Sequence, residues 1–197
     1  RRPPPPSGGG GPPRQMALPR TRAEAEAAVR TAAGLGIVPF FLGNGSNLLV
    51  ADQGYDGFVV KTGGLDQVRE VNRRLRAGSG ISLARLANAA LGRGLTGLEF
   101  AHGIPGSLGG AVVMNAGAYG GEMVQVLASV TCLDGSGEVR TLPAAECGLS
   151  YRHSLFSDRP DWLIVEAELA LRPGDAGAIR ERVEELMARR RGKEPLE

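Results

Sequence analysis

The chain has 197 residues, enough to bury a real core in one or two domains, and its 42% apolar and 22% charged content is that of a soluble globular protein. A net charge of +2 leaves no electrostatic footprint for nucleic acid, and no apolar run reaches the length of a membrane span. Glycine, at 30 residues, is about twice its usual share, so backbone conformation and close approach carry unusual weight here.

Arg1 to Pro13 reads RRPPPPSGGGGPP, a low-complexity tract with too little apolar surface to order itself. Its basic start is followed by prolines rather than an apolar segment, so it is no secretory signal. Thr21-Arg22-Ala23-Glu24 is a capping box that opens an Ala-rich helix, which Gly34 or Gly36 should close. Ile37 to Leu42 is a short apolar run and predicts a buried strand, with Pro39 implying an edge or a bulge. Gly43 to Asn47, GNGSN, predicts a tight turn, followed by strand residues at Leu48, Leu49 and Val50 and another strand over Gly57 to Lys61.

Val68 to Ala77 predicts a strand pair or one long twisted strand. Ser82 should cap a helix through Leu91, with Leu83, Leu86, Ala87, Ala90 and Leu91 on its apolar face. Gly97 to Gly121 follows, a glycine-rich, nearly uncharged stretch interleaved with Ile104, Leu108, Val112 and Val113. Such a buried segment needs partners for its amides, which a phosphate, a flat ring system or tight packing on a sheet could supply. Val126 to Asp134 should pair with Glu138 to Leu142 through an Asp-Gly-Ser-Gly turn. Leu163 to Leu171 predicts a strand with Leu163, Val165, Ala167, Leu169 and Leu171 on one face. Ala176 to Arg191 predicts an amphipathic helix with Ile179, Val183, Leu186 and Met187 inward. The order of elements is neither a regular βαβ alternation nor a repeat, which makes the class α+β.

Cys132 and Cys147 form no CxxC pair, and His102 and His153 lie too far apart for ligand spacing, so no metal site is expected. Both thiols read as those of a reducing compartment, and the expected location is the cytoplasm. The Gly43 to Asn47 turn can form an anion-holding nest, although a plain hairpin turn has the same composition. Gly78-Ser79-Gly80 lacks the third glycine of a dinucleotide fingerprint and reads as a helix-entry turn. Ser107 fails the G-x-S-x-G elbow at its first position, which speaks against a serine hydrolase. Tyr151-Arg152-His153-Ser154 is the one dense polar cluster, where an arginine could clamp a carboxylate or stabilise an enolate oxygen, or simply make a surface ion pair.

Five segments in this order resemble the UDP-N-acetylenolpyruvoylglucosamine reductase family. They are Leu42-Gly43-Asn44-Gly45-Ser46-Asn47-Leu48-Leu49-Val50, Gly97-Leu98-Glu99-Phe100-Ala101, Gly103-Ile104-Pro105-Gly106 with Gly109-Gly110-Ala111, Met114-Asn115-Ala116-Gly117-Ala118-Tyr119-Gly120-Gly121, and Tyr151-Arg152-His153-Ser154. The resemblance implies an FAD-binding domain of the vanillyl-alcohol-oxidase (PCMH) type, built of two α+β lobes. Residues 14–64 would form the first lobe and 65–191 the second, with 1–13 a disordered tail and 192–197 the start of a linker. It assigns Gly43, Asn44, Gly45, Ser46, Asn47 and Leu48 to the FAD pyrophosphate. Gly103, Ile104, Pro105, Gly106, Ser107, Gly109, Gly110, Asn115, Ala116 and Gly117 would line the flavin and its phosphates. Family chemistry reduces FAD with NADPH and passes hydride to the enolpyruvyl double bond of a nucleotide sugar in peptidoglycan precursor synthesis. Arg152 maps onto the arginine that stabilises the enolate, and Tyr151 onto a substrate contact.

The family's proton-donating serine and late glutamate follow a Pro-Leu that here is Pro195-Leu196, and neither is in this chain. The chain therefore reads as the FAD-binding part of such an enzyme, expected to be monomeric and incomplete for catalysis by itself. Another flavin oxidoreductase of the superfamily, or a non-catalytic FAD-binding scaffold, are the alternatives.

Overall fold

The structure, a computed structural model, describes residues 15–43 and 57–193. Strands β1 (Gln15–Ala17), β2 (Phe40–Leu42) and β3 (Phe58–Lys61) form a small parallel sheet in the order β1-β3-β2. Between β1 and β2 runs helix α1 (Arg22–Gly34), where the Thr21 hydroxyl accepts the Glu24 amide at 3.2 Å, the N-cap half of the expected capping box. Gly36, at φ 67°, lies just past its end. The strand expected from Ile37 begins only at Phe40, because Pro39 has no amide to give a ladder, and β2 is an edge strand as that proline implied. Ala25, Val29 and Ala32 are the buried face of α1. The first two meet Val60, Leu65, Leu133, Leu163 and Val165 in a small core.

The larger sheet is antiparallel throughout. In it, β4 (Val68–Val71) and β5 (Arg74–Gly78) are a hairpin, not one long strand. Asn72 and Arg73 turn it at φ 51° and 65°, the paired left-handed geometry that matches strand twist in a two-residue loop. β9 (Leu127–Leu133) and β10 (Val139–Pro143) are the second expected hairpin. β11 (Leu163–Leu169) joins the two hairpins, giving the order β10-β9-β11-β5-β4, and it departs from the expected one-faced alternation. A register shift between Ile164 and Glu166 inserts Val165 as a bulge. Leu163 and Val165 therefore join the small core, whereas Ile164, Ala167 and Leu169 face the main one.

Helix α2 (Leu83–Gly92) is capped by Ser82, whose hydroxyl accepts the Arg85 amide, and it buries Leu83, Leu86, Ala87 and Ala90. Leu91, expected inward, is only half-buried. The glycine-rich stretch forms a 3-10 turn (Glu99–Ala101), a short helix α3 (Leu108–Val113) and a tight strand pair, β7 (Gly117–Ala118) with β8 (Gly121–Glu122). Helix α4 (Ala176–Lys193) packs Ile179, Val183 and Leu186 inward, with Met187 half-buried. A further strand pair, β6 (Leu95–Thr96) with β12 (Arg172–Pro173), links α2 to the segment before α4.

Cys132 and Cys147 are both fully buried free thiols, pushed up to about 11 by burial, which keeps them protonated and inert. No described helix is long and apolar enough to cross a membrane.

Candidate functional site

A cavity of about 570 Å³ opens where the two sheets meet. Phe41, Gly43 and Thr62 come to it from the small sheet. Ser79, at the end of β5, and the turn into α3 (Pro105, Gly106, Ser107, Gly109 and Gly110) form a second wall. Phe156, Trp162 and Ile164 supply an apolar third wall. An apolar slot between two sheets, with a few polar groups along one wall, suits a large flat ligand. Two guanidinium groups lie against the Trp162 ring, Arg140 at 5.5 Å and Arg159 at 5.7 Å from its centre.

The amides entering α3 behave differently from what the glycine content suggested. Leu108 donates to the Ile81 carbonyl at 2.9 Å, Gly109 to the Ser79 carbonyl at 2.9 Å and Gly110 to the Ser107 hydroxyl at 3.4 Å. The protein itself satisfies them, so this short helix start is not an anion cradle. Ser79 is the exception on that wall. It is 2% exposed, and its Oγ has no hydrogen-bond partner among the described residues. A buried orphan hydroxyl costs roughly 1–3 kcal/mol, which a bound polar group would relieve.

A second hollow of about 600 Å³ begins one residue further along the chain: Val113, the last residue of α3, lines the first and Met114 the second. Its wall is the run from Met114 to Glu122, together with Tyr151 and Arg152. Of the five non-glycine residues with positive φ among the described residues, three lie here: Asn115 at 45°, Tyr119 at 51° and Arg152 at 50°. Backbone strain of this kind concentrates where geometry is over-determined by surrounding contacts. Arg152 sits in a two-residue turn closed by Ser150 N–H to the His153 carbonyl (3.0 Å) and His153 N–H to the Ser150 carbonyl (3.4 Å). Its guanidinium lies 5.2 Å from the centre of the Tyr151 ring, and Tyr151 is 80% exposed. His153 pairs with Asp158 at 3.0 Å, and the buried Ser154 caps the following turn, so neither faces the hollow.

The residues singled out in the sequence therefore divide. Gly43, Pro105, Gly106, Ser107, Gly109 and Gly110 line the first cavity, and Asn115, Ala116, Gly117, Tyr151 and Arg152 the second. Asn44, Gly45, Ser46, Asn47 and Leu48 lie outside the described residues. Gly103 lines neither cavity. A Cβ there would come 3.1 Å from Met187 Sδ and 3.2 Å from Arg190 Cδ, so this glycine lets α4 pack closely. Ile104 packs against the main core. Gly121 is likewise a packing glycine, since its Cβ would fall 2.5 Å from Phe100 Cγ. Gly106 stands at φ 114°, and a Cβ there would have nothing within 4 Å, so the turn into α3 demands this glycine for its backbone and not for space. Thr62, Ser79, Phe156 and Trp162 had no signal of their own, because each reaches the cavity from a different element.

This chain belongs to the FAD-binding-domain family, whose pattern its residues 13–143 match. The FAD-binding α+β class expected from the motifs is thereby borne out. Its relatives are more specific. It is 49% identical over 161 residues to UDP-N-acetylenolpyruvoylglucosamine reductase of Clostridium novyi, covering 81% of this chain and 52% of that protein. The same-named protein of Clostridium tetani is 42% identical over 182 residues, covering 92% and 59%. Among solved structures, the Thermus caldophilus UDP-N-acetylenolpyruvylglucosamine reductase superposes with a TM-score of 0.75 at 32% identity, covering 91% of this chain and 63% of that one. A Physcomitrella patens protein, BBE-like 1, shares the fold alone, with a TM-score of 0.60 at 18% identity over 80% of this chain and 36% of that one. The chain spans about half to three fifths of the length of these curated reductases.

The first cavity fits the cofactor that the family binds. Its apolar walls match a flat ring system, its length crosses both sheets, and the orphan Ser79 hydroxyl offers a hydrogen bond to a polar edge.

Proposed function

We propose that the protein reduces UDP-N-acetylenolpyruvoylglucosamine to UDP-N-acetylmuramate with NADPH, in the cytoplasm, as a step of peptidoglycan precursor synthesis. This chain supplies the FAD-binding part and one side of the substrate site. The observation that carries the reading is that consecutive residues at the end of α3, Val113 and Met114, line two hollows, one apolar and cofactor-sized, the other bearing Arg152.

Bound FAD supplies hydride transfer in this chemistry. Gly43 and the turn 105–110 would hold the cofactor, with Ser79 as a hydrogen-bonding contact. Arg152 faces the second hollow with a permanent positive charge. Hydride addition to the terminal carbon of the enolpyruvyl group pushes an electron pair onto its carboxylate, and a fixed cation there stabilises the developing enolate. A proton then adds to the adjacent carbon to complete the reduction. The exposed Tyr151 ring lies under the Arg152 guanidinium, which limits its freedom before substrate arrives.

Single-turnover kinetics with Arg152→Ala in the full-length protein test the reading. Reoxidation of the reduced flavin by the enolpyruvyl sugar should slow by about a hundredfold, the loss typical of one oxyanion donor, while reduction by NADPH stays within about twofold. Equal loss in both half-reactions would make the arginine structural. A whole protein that binds FAD and passes no hydride to the sugar would be a scaffold, and the enzyme reading would fall.

A further inference from the structure

Asn115 is 6% exposed and sits at the junction of the second hollow's two walls. Its Oδ1 accepts the Val124 amide at 3.0 Å, and its Nδ2 donates to the Ser150 carbonyl at 3.1 Å. Its own backbone stands at φ 45°, where asparagine is tolerated better than any other side chain. One carboxamide thus joins three segments: the end of α3, the turn after β8, and the loop that carries Tyr151 and Arg152. Both polar ends of the side chain are thus engaged inside the protein, each in a bond that ties one segment to another.

The loop it holds has few other ties. The turn 150–153 closes on itself, Leu155 N–H reaches the Cys147 carbonyl at 2.8 Å, and Ser157 Oγ reaches the Val113 carbonyl at 3.1 Å. Of these, the Asn115 bond meets the turn at Ser150, two residues before Arg152 and on the carbonyl that also accepts His153 N–H. Arg152 is itself held at φ 50° as the second central residue of that turn, so a bond that anchors the turn at Ser150 anchors its backbone as well.

We infer that Asn115 is a positioning residue for Arg152, setting the guanidinium over the substrate hollow, and is not a cofactor ligand. The inference rests on the proposed role of Arg152. The oxygen of the carboxamide fixes the glycine-rich wall, and its nitrogen fixes the arginine loop to that wall.

Asn115→Asp separates the two halves, since a carboxylate still accepts from Val124 but offers nothing to Ser150. In the FAD-loaded protein this variant should keep FAD affinity within about twofold and NADPH reduction within about twofold. Flavin reoxidation by the enolpyruvyl sugar should slow by about tenfold or more. Hydrogen exchange without substrate should quicken about tenfold at the His153 amide and stay unchanged at Val124. The double variant with Arg152→Ala should be no slower than Arg152→Ala alone, because both remove the same effect. A loss of FAD affinity of about tenfold would make Asn115 a cofactor contact and overturn the inference. So would unchanged exchange at His153, or rate losses that multiply in the double variant. Exchange is read without substrate, so an inert Arg152→Ala would sink the proposed reaction while the exchange data still decide whether Asn115 holds the loop.

Discussion

At φ 50°, Arg152 occupies a region that disfavours L-residues by about 1 kcal/mol or more, and glycine would occupy it without that cost. A purely structural arginine would have to offset the strain through contacts, yet its stacking partner, Tyr151, is 80% exposed. Arg152→Gly should therefore leave stability unchanged or raise it by up to about 1 kcal/mol in urea unfolding, even as the proposed reaction is lost. A loss of more than about 2 kcal/mol would show that the side chain holds the loop. Ser79 makes the opposite kind of case. Ser79→Ala removes an orphan hydroxyl, so the cofactor-free protein should gain about 1 kcal/mol, while FAD affinity falls about fivefold, the worth of one neutral hydrogen bond. Unchanged affinity on flavin titration would remove Ser79 from the site. The two residues also differ in how legible they were. Arg152 stood out in a dense polar motif, whereas Ser79 looked like part of a helix-entry turn. Its significance comes from Gly109 packing across it and from walls contributed by remote segments.

Among elements, the β9–β10 hairpin was readable because its Asp-Gly-Ser-Gly turn states its own chemistry. Asp134 Oδ1 accepts the Ser136 hydroxyl at 2.6 Å, the Ser136 amide at 2.9 Å and the Glu138 amide at 3.0 Å, and Oδ2 accepts Arg140 Nε at 2.9 Å. These bonds, that of the Ser136 hydroxyl foremost and the Arg140 guanidinium next, hold the carboxyl down to about 2 against its ordinary 3.8. Because the folded value is the lower one, the hairpin's contribution is complete above pH 3.8, falls as the pH drops through 2, and is gone below it. Acid unfolding should therefore steepen between about pH 4 and pH 2, and Asp134→Asn should flatten that part of the curve. An identical acid limb in the variant would mean that other carboxylates govern it. β11 was legible in place but not in face. Alternation over Leu163, Val165, Ala167 and Leu169 looks regular in one dimension, and only pairing with β9 inserts the bulge that turns Leu163 and Val165 toward the smaller core. A bulge belongs to a strand pair, so a single strand's pattern cannot display it.

For the molecule as a whole, the paired strands β9 and β11 both contribute to both cores, and the first cavity opens along the same seam. The loop 62–66 crosses this seam against β5, where Gly78 and Gly80 have no room for a Cβ: one would fall 2.1 Å from the Leu65 carbonyl oxygen and 1.8 Å from that of Thr62. A ligand gripped by Phe41 and Thr62 on one side and by Ser79 and Phe156 on the other would tie the two sheets together. It would bind only when both are folded and docked. Linkage then sets the size of the effect: FAD at about a hundred times its dissociation constant should add about 2.7 kcal/mol to unfolding. For a chain of this length that corresponds to a rise in melting temperature of roughly 5–10 °C. Riboflavin carries the ring system without the diphosphate and adenosine, so at equal concentration it should give a clearly smaller rise if residues 43–47 hold the pyrophosphate. An equal rise would place all the affinity in the ring and overturn that assignment. No rise with FAD, at concentrations that saturate flavin fluorescence quenching, would mean that the folded state does not bind FAD in preference to the unfolded chain, and would remove the seam as its site.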